Sequence, residues 1–326
     1  MSASVSRSSS TRTRKPARKD APKPRRDIAQ EVTDRIVEAL TAGTVPWRPQ
    51  HTGTESGFLP ANLVTGKKYR GVNVFLLWLA ERKRGFTRPL WMTYRQAAQA
   101  GGQVRAGSKS VPIVFWNFME KEDKKNPSGE KKRVAFLKTY NVFNVEDVDG
   151  LDTEAAPGEV PLEPDACPPE LRACAEVATG FLRSPGAPGC VEMEVTPHYN
   201  CRTDVVVTPP LASYETPEAY FSTLFHEIAH STGHASRLGR RGITEAGSGL
   251  LDPYAEEEMV AELAASLLCA HCGIAPVTEE MSAAYVAGWL DRMQTDSGFF
   301  LKAAGAAQKA VDLIRPAAED RKTGPE

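Results

Sequence analysis

The first run of periodic apolar positions is helical. In DIAQEVTDRIVEALTAGTVPW, Ile28, Val32, Ile36, Ala39 and Leu40 fall on one face, and Gly43 ends the run. YRGVNVFLLWLAER (69–82) predicts a second helix starting near Asn73. Thr93 caps a third, TYRQAAQAG, which the Gly101–Gly102 pair stops. Strand-like runs then take over in VPIVFWNF (111–118) and VAFLKTYNVFNV (134–145), and the charged EKEDKKNPSGEKK between them suits a hairpin loop.

LDTEAAPGEVPLEPDACP (151–168) is acidic and rich in proline, the composition of a linker. A helix over 169–182 and short strands over 190–208 follow. Thr216 and Pro217 form an N-cap and first-turn pair for a helix that Gly233 closes. Asp252 and Pro253 repeat that start signal for a helix ending near Gly273, and two more are expected over 278–293 and 298–314. The pattern predicts an α+β chain. A small mixed α/β domain (27–150) precedes a mainly helical one (169–316), with a basic arm (1–26) and a short tail (317–326) outside both.

Composition narrows the class. No apolar run approaches the roughly 18 residues that a membrane helix needs, and the amino terminus lacks the apolar core of a secretory signal. The six cysteines (167, 174, 190, 201, 269, 272) are irregularly spaced, which suits reduced thiols in a cytoplasmic protein. Cys269-Ala-His-Cys272 has half the spacing of a zinc knuckle. Without a second pair it is expected inside a buried helix. Net charge is −1 overall, yet residues 1–150 hold 28 Lys+Arg against 14 Asp+Glu, and residues 151–326 hold 12 against 27. The amino-terminal half is therefore the candidate for a polyanionic partner.

STLFHEIAHSTGHASRL (222–238) contains H-E-x-x-H. Two histidines four apart on a helix, His226 and His230, can grip one ion, and Glu227 then stands where it can take a proton from the attacking water. That implies peptide hydrolysis with zinc, or another divalent metal, as cofactor. A catalytic zinc takes a third protein ligand. A metzincin would place a histidine at 236, where this chain has serine, and His234 follows directly on the turn glycine, so both fail. In DPYAEEEMVAELAASLLCAHCG, Glu258 and Glu262 share a helix face opposite Val260, Leu263 and Leu267. Glu258 as ligand, with Glu262 holding a ligating histidine by its other nitrogen, is the favoured assignment, and the reverse stays open. Glu256 and Glu257 read as first-turn acids that favour the helix dipole. Asp204-Val-Val-Val is a candidate edge strand for an extended peptide. Tyr254, His234 and Tyr285 are candidate oxyanion donors.

In the basic half, cationic and aromatic residues alternate: Trp47-Arg48, Lys67-Lys68-Tyr69-Arg70 and Tyr94-Arg95, with Arg105 and Lys109 beyond. A cationic track beside rings suits single-stranded DNA more than duplex, because unstacked bases lie on the rings. Trp47, Arg48, Lys67, Tyr69, Arg70, Tyr94, Arg95 and Lys109 are the candidate contacts, whereas Trp78, between two leucines, is expected in the core.

EVTDRIVEALTAGTVPWR, PANLVTGKKYRGVNVFLLW, WMTYRQAAQAGGQVRAG and YNVFNVED resemble the amino-terminal domain of ArdC-type antirestriction proteins of plasmids and other mobile elements. YFSTLFHEIAHSTGHASRL, YAEEEMVAELAASLLC and AGAAQKAVDLI are similar to the zincin-like metallopeptidase domain of that family. The chain departs from the family at Gly107-Ser108-Lys109-Ser110 and at Val145-Glu146-Asp147. The resemblance implies single-stranded-DNA binding and protection of incoming, conjugatively transferred DNA from host restriction. The peptide substrate would be host restriction machinery or another DNA-bound protein. A DNA-targeted metalloprotease, or a DNA-binding protein whose zincin domain is only structural, are the competing readings.

Overall fold

A computed structural model describes residues 27–48, 59–122, 131–151, 169–246, 251–277 and 283–315. The expected basic arm, the linker from 152 and the tail lie outside the described residues, as does Cys167.

The amino-terminal half contains α1 (Ile28–Thr41), β1 (Ala61–Asn62), α2 (Val72–Arg84), β2 (Leu90–Met92), α3 (Tyr94–Gln99), β3 (Gln103–Val104), β4 (Val111–Glu122), β5 (Lys131–Asn144) and β6 (Val148–Asp149). One sheet runs β1-β2-β5-β4, and β3 pairs with β6 in a second. The Thr93 cap is a full capping box, because Gln96 returns a side-chain bond to the Thr93 backbone. The expected hairpin is present, with Val111 opposite Val142 and Trp116 opposite Leu137. Sequence patterning did not reveal β1, β2, β3 and β6, each two or three residues long and too short for an alternation to register.

The carboxy-terminal half contains α4 (Pro169–Leu182), β7 (Gly189–Glu192), β8 (His198–Asn200), β9 (Val205–Thr208), α5 (Pro217–Ser231), α6 (Arg241–Thr244), α7 (Leu251–Cys272), α8 (Ala283–Thr295) and α9 (Phe299–Ile314). Helix α5 starts as predicted, with Thr216 accepting from the Ala219 N–H and Pro217 in the first turn. The expectation that Asp204-Val-Val-Val forms an edge is corrected: β9 is the central strand of β7-β9-β8. Both of its backbone edges are already bonded, so no peptide can add there. Asp204 itself sits at φ 54, and Arg237 and the Tyr199 hydroxyl both bond its carboxylate.

The two halves share a core. Val32 and Ile36 of α1, Trp47, and Phe75 and Trp78 of α2 pack in one cluster with Met259 and Leu263 of α7 and Phe300, Ala304 and Ala307 of α9. Trp47 meets Trp289 edge-on at 5.8 Å and Phe300 at 6.1 Å. Polar bonds cross the same seam. The Thr33 hydroxyl donates to Ser297 O at 2.7 Å, and the Gly71 N–H donates to Gln308 at 2.9 Å. Removing either half would therefore expose large aromatic surface on the other. Among the described residues, no helix is long and apolar enough to cross a membrane.

Candidate metal centre

Helix α7 is buried on almost every side, which is why its carboxylates matter: Glu257 and Glu262 are 2% and 5% exposed. Charges so placed need partners, and each has one. Antiparallel α5 supplies His226 and His230, whose Nε2 atoms stand 3.0 Å apart. Glu258 faces both, at 3.6 Å from His226 Nε2 and 3.6 Å from His230 Nε2. The three ligand atoms lie within 4.8 Å of one another, and His226, His230 and Glu258 are the only such metal-competent group among the described residues. Ligands about 2.1 Å from a tetrahedral ion stand roughly 3.4 Å apart, so the spacing fits a small divalent cation.

The outer partners fix the rings. His230 Nδ1–H donates to Glu257 at 3.2 Å, which leaves Nε2 as a lone pair. Arg240 holds that glutamate through two N–H groups, at 2.6 and 2.7 Å, and also donates to Thr232 Oγ1 and Ala229 O. On the other side, Glu262 lies 3.7 Å from His226 Nδ1 and accepts the Trp47 indole N–H at 3.1 Å. An amino-terminal tryptophan thus props a carboxylate behind a metal-competent histidine.

Electrostatics agree. Burial works against a charged His226 imidazole, but Glu258 and Glu262 outweigh it and push its pKa up to about 10. Burial would likewise raise Glu257 and Glu258. Arg240 with His230, and His226 with its neighbours, hold the two below the usual carboxylate range. Glu227, next to His226 on α5, is 8% exposed.

Gly233 serves differently from a turn glycine. A Cβ there would stand 2.7 Å from Ile243 Cγ1 and 3.0 Å from an Arg240 guanidinium nitrogen, so the bare backbone is what lets Arg240 reach Glu257. His234 is occupied locally, its Nδ1 2.8 Å from the Ser236 hydroxyl. Tyr254 lies one turn before Glu258, half-exposed, with its hydroxyl 3.1 Å from that of Tyr285. Burial and the Tyr285 bond raise its pKa beyond the ordinary phenol range, so it stays a donor. Cys269 and Cys272 are buried, packed with Cys174 in an apolar cluster, as expected of a structural pair.

Glu257 and Arg240 were not found by sequence reasoning. Glu257 passed for a first-turn acid, and the only signal was three consecutive glutamates on a helix with little other polarity.

The candidate DNA contacts scatter. Trp47 is fully buried, which corrects its reading as a stacking ring: it has no open face for a base. Trp78 is in the core as expected, and Trp91 is there too, donating to Glu81 at 2.9 Å. Burial lifts that carboxyl to about 8, against the opposing pull of the Trp91 bond. Arg48 carries the backbone carbonyl to which Arg82 donates. Tyr94 and Arg95 are exposed on α3, and Lys109 lies at a separate basic cleft with Arg35, Arg82 and Arg84. Lys67, Tyr69 and Arg70 do come together, lining one groove.

An H-E-x-x-H helix packed against a glutamate-bearing helix, beside a small mixed α/β unit, defines a zincin-like metallopeptidase fold fused to a second module. Comparison with known proteins is specific. Residues 26–143 match the amino-terminal domain of anti-restriction factor ArdC, and residues 177–306 match a zincin-like metallopeptidase family. The metal-free crystal structure of antirestriction protein ArdC from plasmid R388 is 36% identical, with a TM-score of 0.71 over 88% of this chain and 96% of that one. Its Mn(II)-bound structure gives 0.69 over 90% and 99% at the same identity. The DNA primase TraC of Escherichia coli is 33% identical over 309 residues, 89% of this chain, but the chain spans only 20% of that protein's length. The chain belongs to the ArdC antirestriction family.

Proposed function

We propose that this antirestriction protein binds single-stranded DNA and hydrolyses peptide bonds in a protein brought to that DNA. The observation that carries the reading is the convergence of His226, His230 and Glu258 on one cation-sized point, each histidine backed by its own carboxylate. His226 Nε2, His230 Nε2 and one Glu258 oxygen would hold zinc or manganese. Such an ion supplies Lewis acidity and a water acidic enough to ionise near neutral pH. Glu227 receives the proton from the attacking water and returns it to the leaving amine. Tyr254, half-exposed one turn before Glu258, offers its O–H to the carbonyl oxygen as charge builds there. Glu257 and Glu262 keep each imidazole in the tautomer whose Nε2 is bare. Activity of the purified chain on casein, with and without a chelator, tests the reading, and casein hydrolysis insensitive to the chelator would refute it.

The role of Trp47 gives a sharper test. Trp47→Phe keeps the ring in the core but removes the N–H that holds Glu262, so zinc affinity is expected to fall by about 10-fold. Competition against a chromogenic chelator measures it. Unchanged affinity would show that Glu262 needs no support from the amino-terminal half.

A further inference from the structure

The hairpin of β4 and β5 carries aromatic chemistry that the metal centre does not use. Along one face of it, Val111, Ile113 and Val142 are buried with Leu77, Phe86 and Trp91. The same face then leaves the core: Phe115 is 44% and Tyr140 43% exposed, and Trp116, on the opposite face, is 61% exposed. Phe115 and Tyr140 are diagonal neighbours across the ladder, since Phe115 pairs with Lys138 and Ile113 with Tyr140. Their rings meet edge-to-face at 5.3 Å, and Lys138 Nζ lies 5.0 Å over Tyr140.

These residues line a groove of about 850 Å³ whose far wall is the 62–70 loop with Lys67, Lys68 and Arg70. No carboxylate is among the described residues lining it. Asn62 Oδ1 accepts from the Val64 and Thr65 N–H groups, which sets the loop as a firm rim below Lys67. Arg70 is tied to Asp312 of α9 at 2.6 Å and serves the seam between the halves.

We infer that this groove is the single-stranded-DNA site, with bases stacked on Phe115 and Tyr140, phosphates held by Lys67 and Lys138, and the strand passing over the exposed edge of β4 to Trp116 on the other face of the hairpin. The inference rests on the reading of the chain as a single-strand-binding protein and adds where the strand lies. Exposed rings and cations in one acid-free groove match a polyanion whose flat faces are open. Duplex DNA keeps those faces stacked inside. An acidic peptide would satisfy the lysines and leave three rings in water. The ring pair is already ordered by its own contact, so binding loses little side-chain entropy. Amides near the groove, Asn62 and Gln96, bond each other at 3.1 Å, so the site reads stacking rather than base identity.

Fluorescence anisotropy of the full chain with a labelled oligothymidine tests this. Trp116→Ala and Tyr140→Ala are each expected to weaken binding by about 10- to 100-fold, with Trp116→Phe retaining most of the affinity and all three melting as wild type. Lys138→Gln should reduce the slope of log affinity against log salt by about one. If the wild type binds oligothymidine and the two alanine variants bind equally well, the groove is overturned and the single-strand reading stands. Should the wild type bind only duplex, or an acidic polyglutamate as tightly as the oligonucleotide, both fall.

Discussion

Replacing Glu227 by glutamine is expected to leave the zinc content of the protein unchanged and to lower peptide hydrolysis by about 10²–10⁴-fold. Glutamine keeps the shape and burial of the side chain on α5 and loses only the basic oxygen. The His226, His230 and Glu258 ligand set does not include it, so metal analysis and activity should separate cleanly. Retained hydrolysis would remove Glu227 from its role as base. The same variant distinguishes the competing readings of antirestriction. Protection of unmodified DNA in a restricting host should fall with the activity, and full protection by a zinc-loaded, inactive variant would make the zincin domain a docking surface.

The second large effect is on stability. Arg240→Leu removes two N–H donors from Glu257, a carboxylate that is 2% exposed. It also strips the bonds that tie Thr232 and Ala229, at the end of α5, to the 240 turn. Leaving that buried carboxylate with His230 as its remaining partner costs up to about 3–5 kcal/mol, which in a chain of this size is a fall in Tm of up to roughly 10 °C. Differential scanning calorimetry of the metal-free protein reads it directly. Changing Glu257 to glutamine in the Arg240→Leu background should recover part of the loss, because the charge is then gone. A melting point within a degree or so of wild type would show that Glu257 is neutral in the fold and that Arg240 is ornamental to it.

The sequence was most informative where one helix carries its own signal. Thr216, Pro217 and H-E-x-x-H mark α5 and the pair of ligands on it, and the mid-helix glutamates of α7 stand out because everything near them is apolar. The prominence of Glu258 and Glu262 follows from the cost of burying charge, a rule that operates at the level of sequence. What escaped is what two distant segments do together. Trp47 looks like a surface ring beside Arg48, yet its N–H bonds Glu262, 215 residues away, and so closes the polar network behind His226. Arg240 lies in a turn with no helical period, and only the folded path past Gly233 brings it to Glu257. The acidic, proline-rich segment suggested separate modules. The apolar faces of α1 and α2 instead find their partners on α7 and α9, because each helix presents more apolar surface than its own half can cover. Phe115, Trp116 and Tyr140 were read simply as strand positions, and exposure is the one property that an alternation cannot give.

The ligand set of the metal centre is read most directly from an anomalous diffraction map at the zinc edge, from crystals of the full chain. A single strong peak is expected about 2.0–2.2 Å from His226 Nε2, His230 Nε2 and one Glu258 oxygen, with Glu262 behind His226 and bonded to Trp47. A peak ligated by Glu262 in place of Glu258, or no ordered peak between the two histidines, would overturn this ligand set.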